Sequence, residues 1–212
     1  MIFREFPHVV LPAHTGDLSA DVSALLEANG KPKTVRHVLD VAEANAAIAA
    51  RYGLNEAKCR TAALLHDISA VVPPTDMLAW ADRHGLETCE AERKHPFLLH
   101  QRLSRAIAQD HFGMADEEIL SPIECHTTLK KSATSYDMAL FIADKLAWDQ
   151  EGEPPFRRAV ETALAQSLEA ASLAYMDYMA DNGLLLCPHT DWTAARCWLK
   201  GLRQAGAVRF PI

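Results

Sequence analysis

The sequence predicts an all-α helical bundle, and three observations carry that reading. Alanine is abundant and β-branched runs are rare, which favours helix over strand. Apolar residues recur at i, i+3, i+4 and i+7, and strict alternation is nearly absent. Capping residues ahead of the periodic stretches and glycines behind them divide the chain into segments joined by short connections.

The elements follow in order. The first dozen residues are irregular, and a first helix spans about 17–28 and ends at Gly30. A second runs from Pro32 to Tyr52, with Pro32 in its first turn and Gly53 as its stop. Asn55 caps a third helix that ends at the His66-Asp67 pair. "VVPPTD" breaks the chain, and Thr75 caps a short helix to His84, stopped by Gly85. Another short helix leads to His95-Pro96, and a longer one covers about 97–112 before Gly113. Asp116 starts a helix ending near "CHTTLKK", and Ser135 starts one through "YDMALFIADKLAW". "DQEGEPP" is a loop, one long helix covers about 155–182 before Gly183, and a last begins at Thr190-Asp191. Residues 1–30 are expected to form an N-terminal segment and helix packed on a single domain of residues 31–212.

Composition narrows the function. The chain has 212 residues, 49% of them hydrophobic, and a net charge of −7. That acidity disfavours a nucleic-acid polymer as partner. Apolar runs are far too short for a membrane span, and the N-terminus lacks a signal-peptide pattern. The five cysteines have no close pairing and read as reduced thiols of a cytoplasmic protein. No Walker loop, GxSxG or GxGxxG points to another enzyme class.

Five helices each aim an ionisable group along an apolar face. His37 shares a stripe with Val41 and Ile48, and His66 follows Ala62 and Ala63. His100 lies with Leu103 and Ile107, His126 follows Ile119 and Ile123, and Asp144 lies with Leu140, Phe141 and Trp148. Burying an unpaired polar group costs roughly 2–7 kcal/mol. Four histidines and two aspartates, Asp67 included, converging in one core are most easily satisfied by metal. The remaining histidines, His8, His14, His84, His95, His111 and His189, read as surface, loop or helix-end groups.

The ordered set His37, His66-Asp67, His100, His126, Asp144 resembles the HD-domain metal-dependent phosphohydrolases. The resembling segments are "RHVLDVAEAN", "AALLHDIS", "FLLH", "ECHTT", "FIADKL" and "HTDWTAARCWL", within roughly residues 30–200. "HTT" followed by "IAD" is similar to the YqeK-type branch, the symmetrical bis(5'-nucleosyl)-tetraphosphatases. The resemblance implies an HD-domain helical bundle with two divalent transition metals, iron before manganese. His37, His66, Asp67 and Asp144 would hold one ion, and Asp67 would bridge to a second completed by His100 and His126. It places the catalytic roles on Asp67, His100 and His126, with a water activated between the ions. The implied reaction is symmetrical cleavage of diadenosine tetraphosphate to two ADP. Thr127, Lys130, Lys131 and Lys145 are the substrate-side candidates. Three positions depart from the family: Ala70 replaces a phosphate-side lysine, Leu129 replaces a glycine, and an arginine is missing after "AD". Two alternatives stay open: hydrolysis of another nucleotide or phosphoester, and a nucleotide sensor with weak turnover. Pairing with a second copy is also open.

Overall fold

In the computed structural model, residues 1–148 and 150–206 are described. Asp149 in the expected loop, and residues 207–212 at the end of the expected domain, lie outside them. Among the described residues there are eleven α-helices and no strand, so the all-α expectation holds.

Helix α1 (Leu18–Ala28) starts at Asp17, whose carboxylate accepts from Ala20 N at 2.9 Å. Helix α2 (Pro32–Tyr52) opens on Pro32 and stops at Gly53, whose φ of 67° is a left-handed turn that glycine adopts without strain. It packs on α3 (Glu56–Leu65) and α8 (Ser135–Leu146). Small buried residues, Ala42, Ala46 and Ala49 on α2 and Ala62 and Ala63 on α3, let the first pair lie close. Asn45 Nδ2 donates to Cys59 O at 2.8 Å, which fixes their register. Helices α6 (His100–Asp110) and α7 (Glu117–Cys125) pack on each other, and α7 packs on α3 and α8. The fully buried Leu65, Leu99, Leu103, Ile107, Leu120, Ile123, Leu140 and Phe141 form the core between them.

Three boundaries differ from expectation. Helix α4 (Pro74–Arg83) is capped by Pro73, not Thr75, because Pro74 lacks the N–H that the first turn would leave unpaired anyway. The segment expected as one helix over 97–112 is a 3-10 turn, Pro96–Leu99, followed by α6. The long helix expected over 155–182 is two, α9 (Arg157–Leu164) and α10 (Leu168–Asp181). Ser167 breaks it, being extended and accepting from Ala170 N at 3.0 Å. A serine that can cap restarts a helix as readily as it continues one. The short α5 (Glu90–Lys94) ends just before His95-Pro96 as expected, and the last helix α11 (Thr190–Gln204) begins where expected. No helix of the described residues is long and apolar enough to cross a membrane.

Candidate metal centre

Helix ends deliver most of this site. His66 is the residue after α3, and Asp67 opens the 3-10 turn Ile68–Val71. His100 is the first residue of α6, and His126 follows α7. His37 comes from the second turn of α2 and Asp144 from the last turn of α8. In three cases the imidazole turns back on its own terminal turn. His66 Nδ1 meets Ala63 O at 2.6 Å, His100 Nδ1 meets Phe97 O at 2.6 Å, and His126 Nδ1 meets Ile123 O at 2.9 Å. A carbonyl oxygen only accepts, so each Nδ1 carries a proton, and in the neutral ring each Nε2 presents a lone pair.

Those lone pairs converge. His100 Nε2 and His126 Nε2 are 2.9 Å apart, and His66 Nε2 and His37 Nε2 are 3.3 Å apart. In the His100–His126 pair both are acceptor nitrogens, and two acceptors 2.9 Å apart call for a cation between or beside them. Asp67 lies across the two pairs. Its Oδ1 is 3.4 Å from His100 Nε2 and 3.5 Å from His126 Nε2. Its Oδ2 is 3.6 Å from His66 Nε2 and 3.9 Å from His37 Nε2. The result is two triads that share one carboxylate, each with its ligand atoms within 4.8 Å of one another. Asp144 joins the first, its Oδ1 being 3.0 Å from His37 Nε2 and 3.7 Å from His66 Nε2. This donor set fits divalent metal: four imidazoles, three of them aimed by a hydrogen bond from the other nitrogen, and two carboxylates.

Electrostatics points the same way. Burial opposes the charged form of Asp67, yet His66, His126 and His100 hold its carboxyl well below the usual range. Asp144 is likewise held down against burial, by Lys145, His37 and His66. Burial also opposes charge on His66, but Asp67 and Asp144 outweigh it and push the ring up to about 9. His126 goes the other way, pushed by burial down to about 4, with His66 and His100 adding to the effect.

All six candidate metal ligands come together; of the substrate-side candidates, Thr127 and Lys145 lie beside them, and Lys130 and Lys131 do not. Thr127 Oγ1 lies 3.2 Å from His100 Nε2. Lys145 is buried beside the centre, paired with Asp144 and donating to His126 O at 3.2 Å, with its ammonium over the Phe141 and Tyr175 rings. Lys130 is turned away, donating to Ser121 Oγ of α7 at 2.5 Å and lying 3.6 Å from buried Asp137 in the first turn of α8. Lys131 is solvent-exposed. Several supporting residues carry no sequence signal. Gln101 Oε1 accepts from Thr127 N at 3.2 Å and its Nε2 donates to Thr128 Oγ1 at 3.0 Å. Ser69 Oγ donates to His100 O at 2.9 Å. Lys31 lines the groove that contains Asp67, Ala70 and His100. Leu129, standing where the resemblance implies glycine, has φ 56° and is fully buried. The left-handed conformation costs about 1–2 kcal/mol. Burying the side chain returns roughly 1.5–3 kcal/mol, so the leucine is tolerated.

A third group, Cys89, Glu92 and His189, also has its ligand atoms within 4.8 Å. His189, read from sequence as a surface or helix-end group, caps α11 but is only 6% exposed. Its Nδ1 accepts from Asp191 N at 3.1 Å, so Nε2 carries the proton and has no lone pair to offer. That N–H faces Glu92 Oε1 at 3.6 Å, too long for a hydrogen bond. Glu92 is already engaged by Cys89 N at 2.9 Å and Arg102 Nη1 at 3.3 Å. This cluster ties α5, α6 and α11 together and does not suit a metal.

The family model described as HD domain matches residues 34–149, more than half of the chain. An uncharacterised protein in the pepC 5' region of Lactococcus lactis subsp. cremoris is 40% identical over 131 residues, 62% of this chain and 67% of that one. A symmetrical bis(5'-nucleosyl)-tetraphosphatase of Bacillus subtilis is 26% identical over 159 residues, 74% of this chain and 85% of the relative. Its namesake in Staphylococcus aureus is 30% identical over 112 residues, 53% and 57% of the two chains. The crystal structure of a predicted HD superfamily hydrolase involved in NAD metabolism from Clostridium acetobutylicum superposes with a TM-score of 0.75. It is 25% identical in sequence, and the match covers 86% of this chain and 96% of that one. By family model and by fold, the chain belongs to the HD-domain family and is an HD-domain phosphohydrolase.

Proposed function

We propose that this hydrolase cleaves diadenosine tetraphosphate symmetrically, giving two ADP, with two divalent transition-metal ions, iron or manganese before zinc. His37, His66, Asp67 and Asp144 hold one ion, and Asp67, His100 and His126 hold the other. The observation that carries the reading is the placement of Asp67, whose two oxygens face separate imidazole pairs. Two such ions, when bound, supply an activated water and offset charge on the phosphoryl oxygens. The protein's part is positioning. Carbonyls of Ala63, Phe97 and Ile123 lock three imidazoles in one tautomer, and Lys145 steadies Asp144. The Thr127 hydroxyl beside His100 is placed to hold a phosphoryl oxygen. Lys31 supplies positive charge to the groove in which Ala70 leaves none. The named tetraphosphatases among the relatives support this substrate.

A second reading, hydrolysis of a different nucleotide or dinucleotide, is favoured by Ala70 and by Lys130 being turned onto Asp137. One experiment decides. Protein purified without added metal is analysed for iron, manganese and zinc, then assayed on diadenosine tetraphosphate, NAD, nucleoside monophosphates and a simple phosphodiester. ADP as sole product supports the first reading. Equal ATP and AMP, or preference for a monophosphate or NAD, supports the second. No transition metal, and no activation by iron or manganese, would sink both.

A further inference from the structure

A cavity of about 210 Å³ opens beside the centre, between the Pro96–Leu99 turn, the end of α10 and the start of α11. Leu98, Tyr175, Met179, Leu185 and Trp192 line it, and among the described residues no Asp, Glu, Lys or Arg does. Three exposed apolar side chains also belong to its lining: Phe97 at 47%, Leu184 at 48% and Leu186 at 83% exposure. Exposed apolar groups gathered at one cavity mark a binding surface. Thr127 joins this cavity to the centre, lining it while its hydroxyl lies 3.2 Å from His100 Nε2. Phe97 lines both this cavity and the groove of Lys31, Asp67 and His100. The two spaces flank the centre and differ in chemistry, one uncharged and the other carrying Lys31 and Asp67.

We propose that the uncharged cavity is a nucleoside subsite. It takes the base and ribose of one terminal nucleoside, while the groove across Phe97 takes the charged phosphate chain. This rests on the phosphohydrolase reading of the centre and extends it to where the uncharged part of the substrate goes. Size permits the base, since an apolar cavity of about 150 Å³ binds benzene and this one is larger, with the ribose toward the open rim. Flat rings on the lining, Tyr175, Trp192 and Phe97, suit a purine face. A phosphate would find no lysine or arginine among the described lining residues, only the His95 and His189 rings, and a nucleoside needs no fixed charge.

The test uses adenosine, which carries no phosphate, on the full chain with chelator present. Equilibrium dialysis should show saturable binding of one adenosine per chain. Phe97→Ala and Leu185→Gln should each weaken it roughly tenfold or more, with melting curves confirming that both variants fold. For whichever nucleotide the hydrolysis panel identifies, KM should rise by a similar factor, and by more than kcat changes. Absence of adenosine binding by the wild type, or a KM indifferent to both substitutions, would overturn the subsite while leaving the hydrolase reading intact. Adenosine binding that the variants lose, in a protein that hydrolyses no nucleotide, would support the subsite and overturn the proposed substrate class. A rim covered by a second copy would give a wild-type dimer that Phe97→Ala turns into a monomer with unchanged adenosine affinity, which also overturns the subsite.

Discussion

Two regions of this molecule look alike by inventory and differ in chemistry. Around Asp67, imidazoles and a carboxylate lie within 4.8 Å of one another, and around Glu92 an imidazole, a carboxylate and a thiol do the same. The difference is one proton. Three histidines of the first region donate Nδ1–H to a carbonyl, which leaves Nε2 as a ligand. His189 accepts at Nδ1 from Asp191 N, which leaves Nε2–H as a donor toward a carboxylate. What a histidine offers is set by what holds its other nitrogen, so proximity alone does not make a metal site.

The sharpest way to break this comparison is Asp67→Asn. The amide cannot supply charge to both imidazole pairs, so both metals should weaken together. Hydrolysis should fall by at least roughly 10²–10³-fold, the scale of one lost electrostatic contact at a reacting centre. A variant that keeps its metal and its rate would reduce Asp67 to a helix-end residue.

Paired substitutions test the tautomer argument directly. His100→Ala should remove one of two ions from the purified protein, while His189→Ala should remove none. His189→Ala should instead lower stability by about 0.5–2 kcal/mol through loss of the α11 cap. Metal loss in the second variant but not the first would invert the assignment of the two regions.

Chelation should separate them again by melting temperature. Metal bound only to the folded state contributes about 2.7 kcal/mol at a hundredfold excess over its dissociation constant. The wild type and His189→Ala should both lose stability on chelation, whereas Asp67→Asn should begin near the chelated wild type and change little.

The smallest expected effect is on acid stability. Burial would raise Glu92, but the facing His189 ring, Cys89 N and Arg102 together hold it at about 2, below its ordinary 4.5. A lowered folded value means that the stability it contributes is present above pH 4.5 and is lost as pH falls toward 2. In Glu92→Gln that window should flatten relative to the wild type, as followed by urea unfolding at each pH. An identical pH dependence in both proteins would show that the cluster contributes nothing by charge.

Much of the candidate site was legible because ligand-bearing positions fall on apolar stripes. His100 with Leu103 and Ile107, and Asp144 with Leu140 and Phe141, sit on helix faces whose apolar members are fully buried. A polar group on such a face needs a partner, and the partners are one another. Lys130 shows the limit. A lysine five residues from Cys125 reads as basic surface near phosphate, yet Asp137 on another helix turns it away. Lys31 shows the reverse, since it is far from Ala70 in sequence and shares a groove with it. His189 read as a helix-end group because its capping role is local, while its burial depends on α5 and α6.

The sequence by itself determined the helical class, most caps and stops, and the six residues that meet at the centre. Each follows from local rules: periodicity, capping chemistry and the cost of burying an unpaired polar group. Only the tertiary structure decided where the 155–182 segment breaks, because Ser167 can sit inside a helix or cap one and packing chooses. Only it decided which imidazole nitrogens point inward, because that depends on the carbonyl or N–H at each ring's other nitrogen. And only it placed an uncharged cavity and a charged groove on either side of Phe97, since those walls come from helices far apart in the chain.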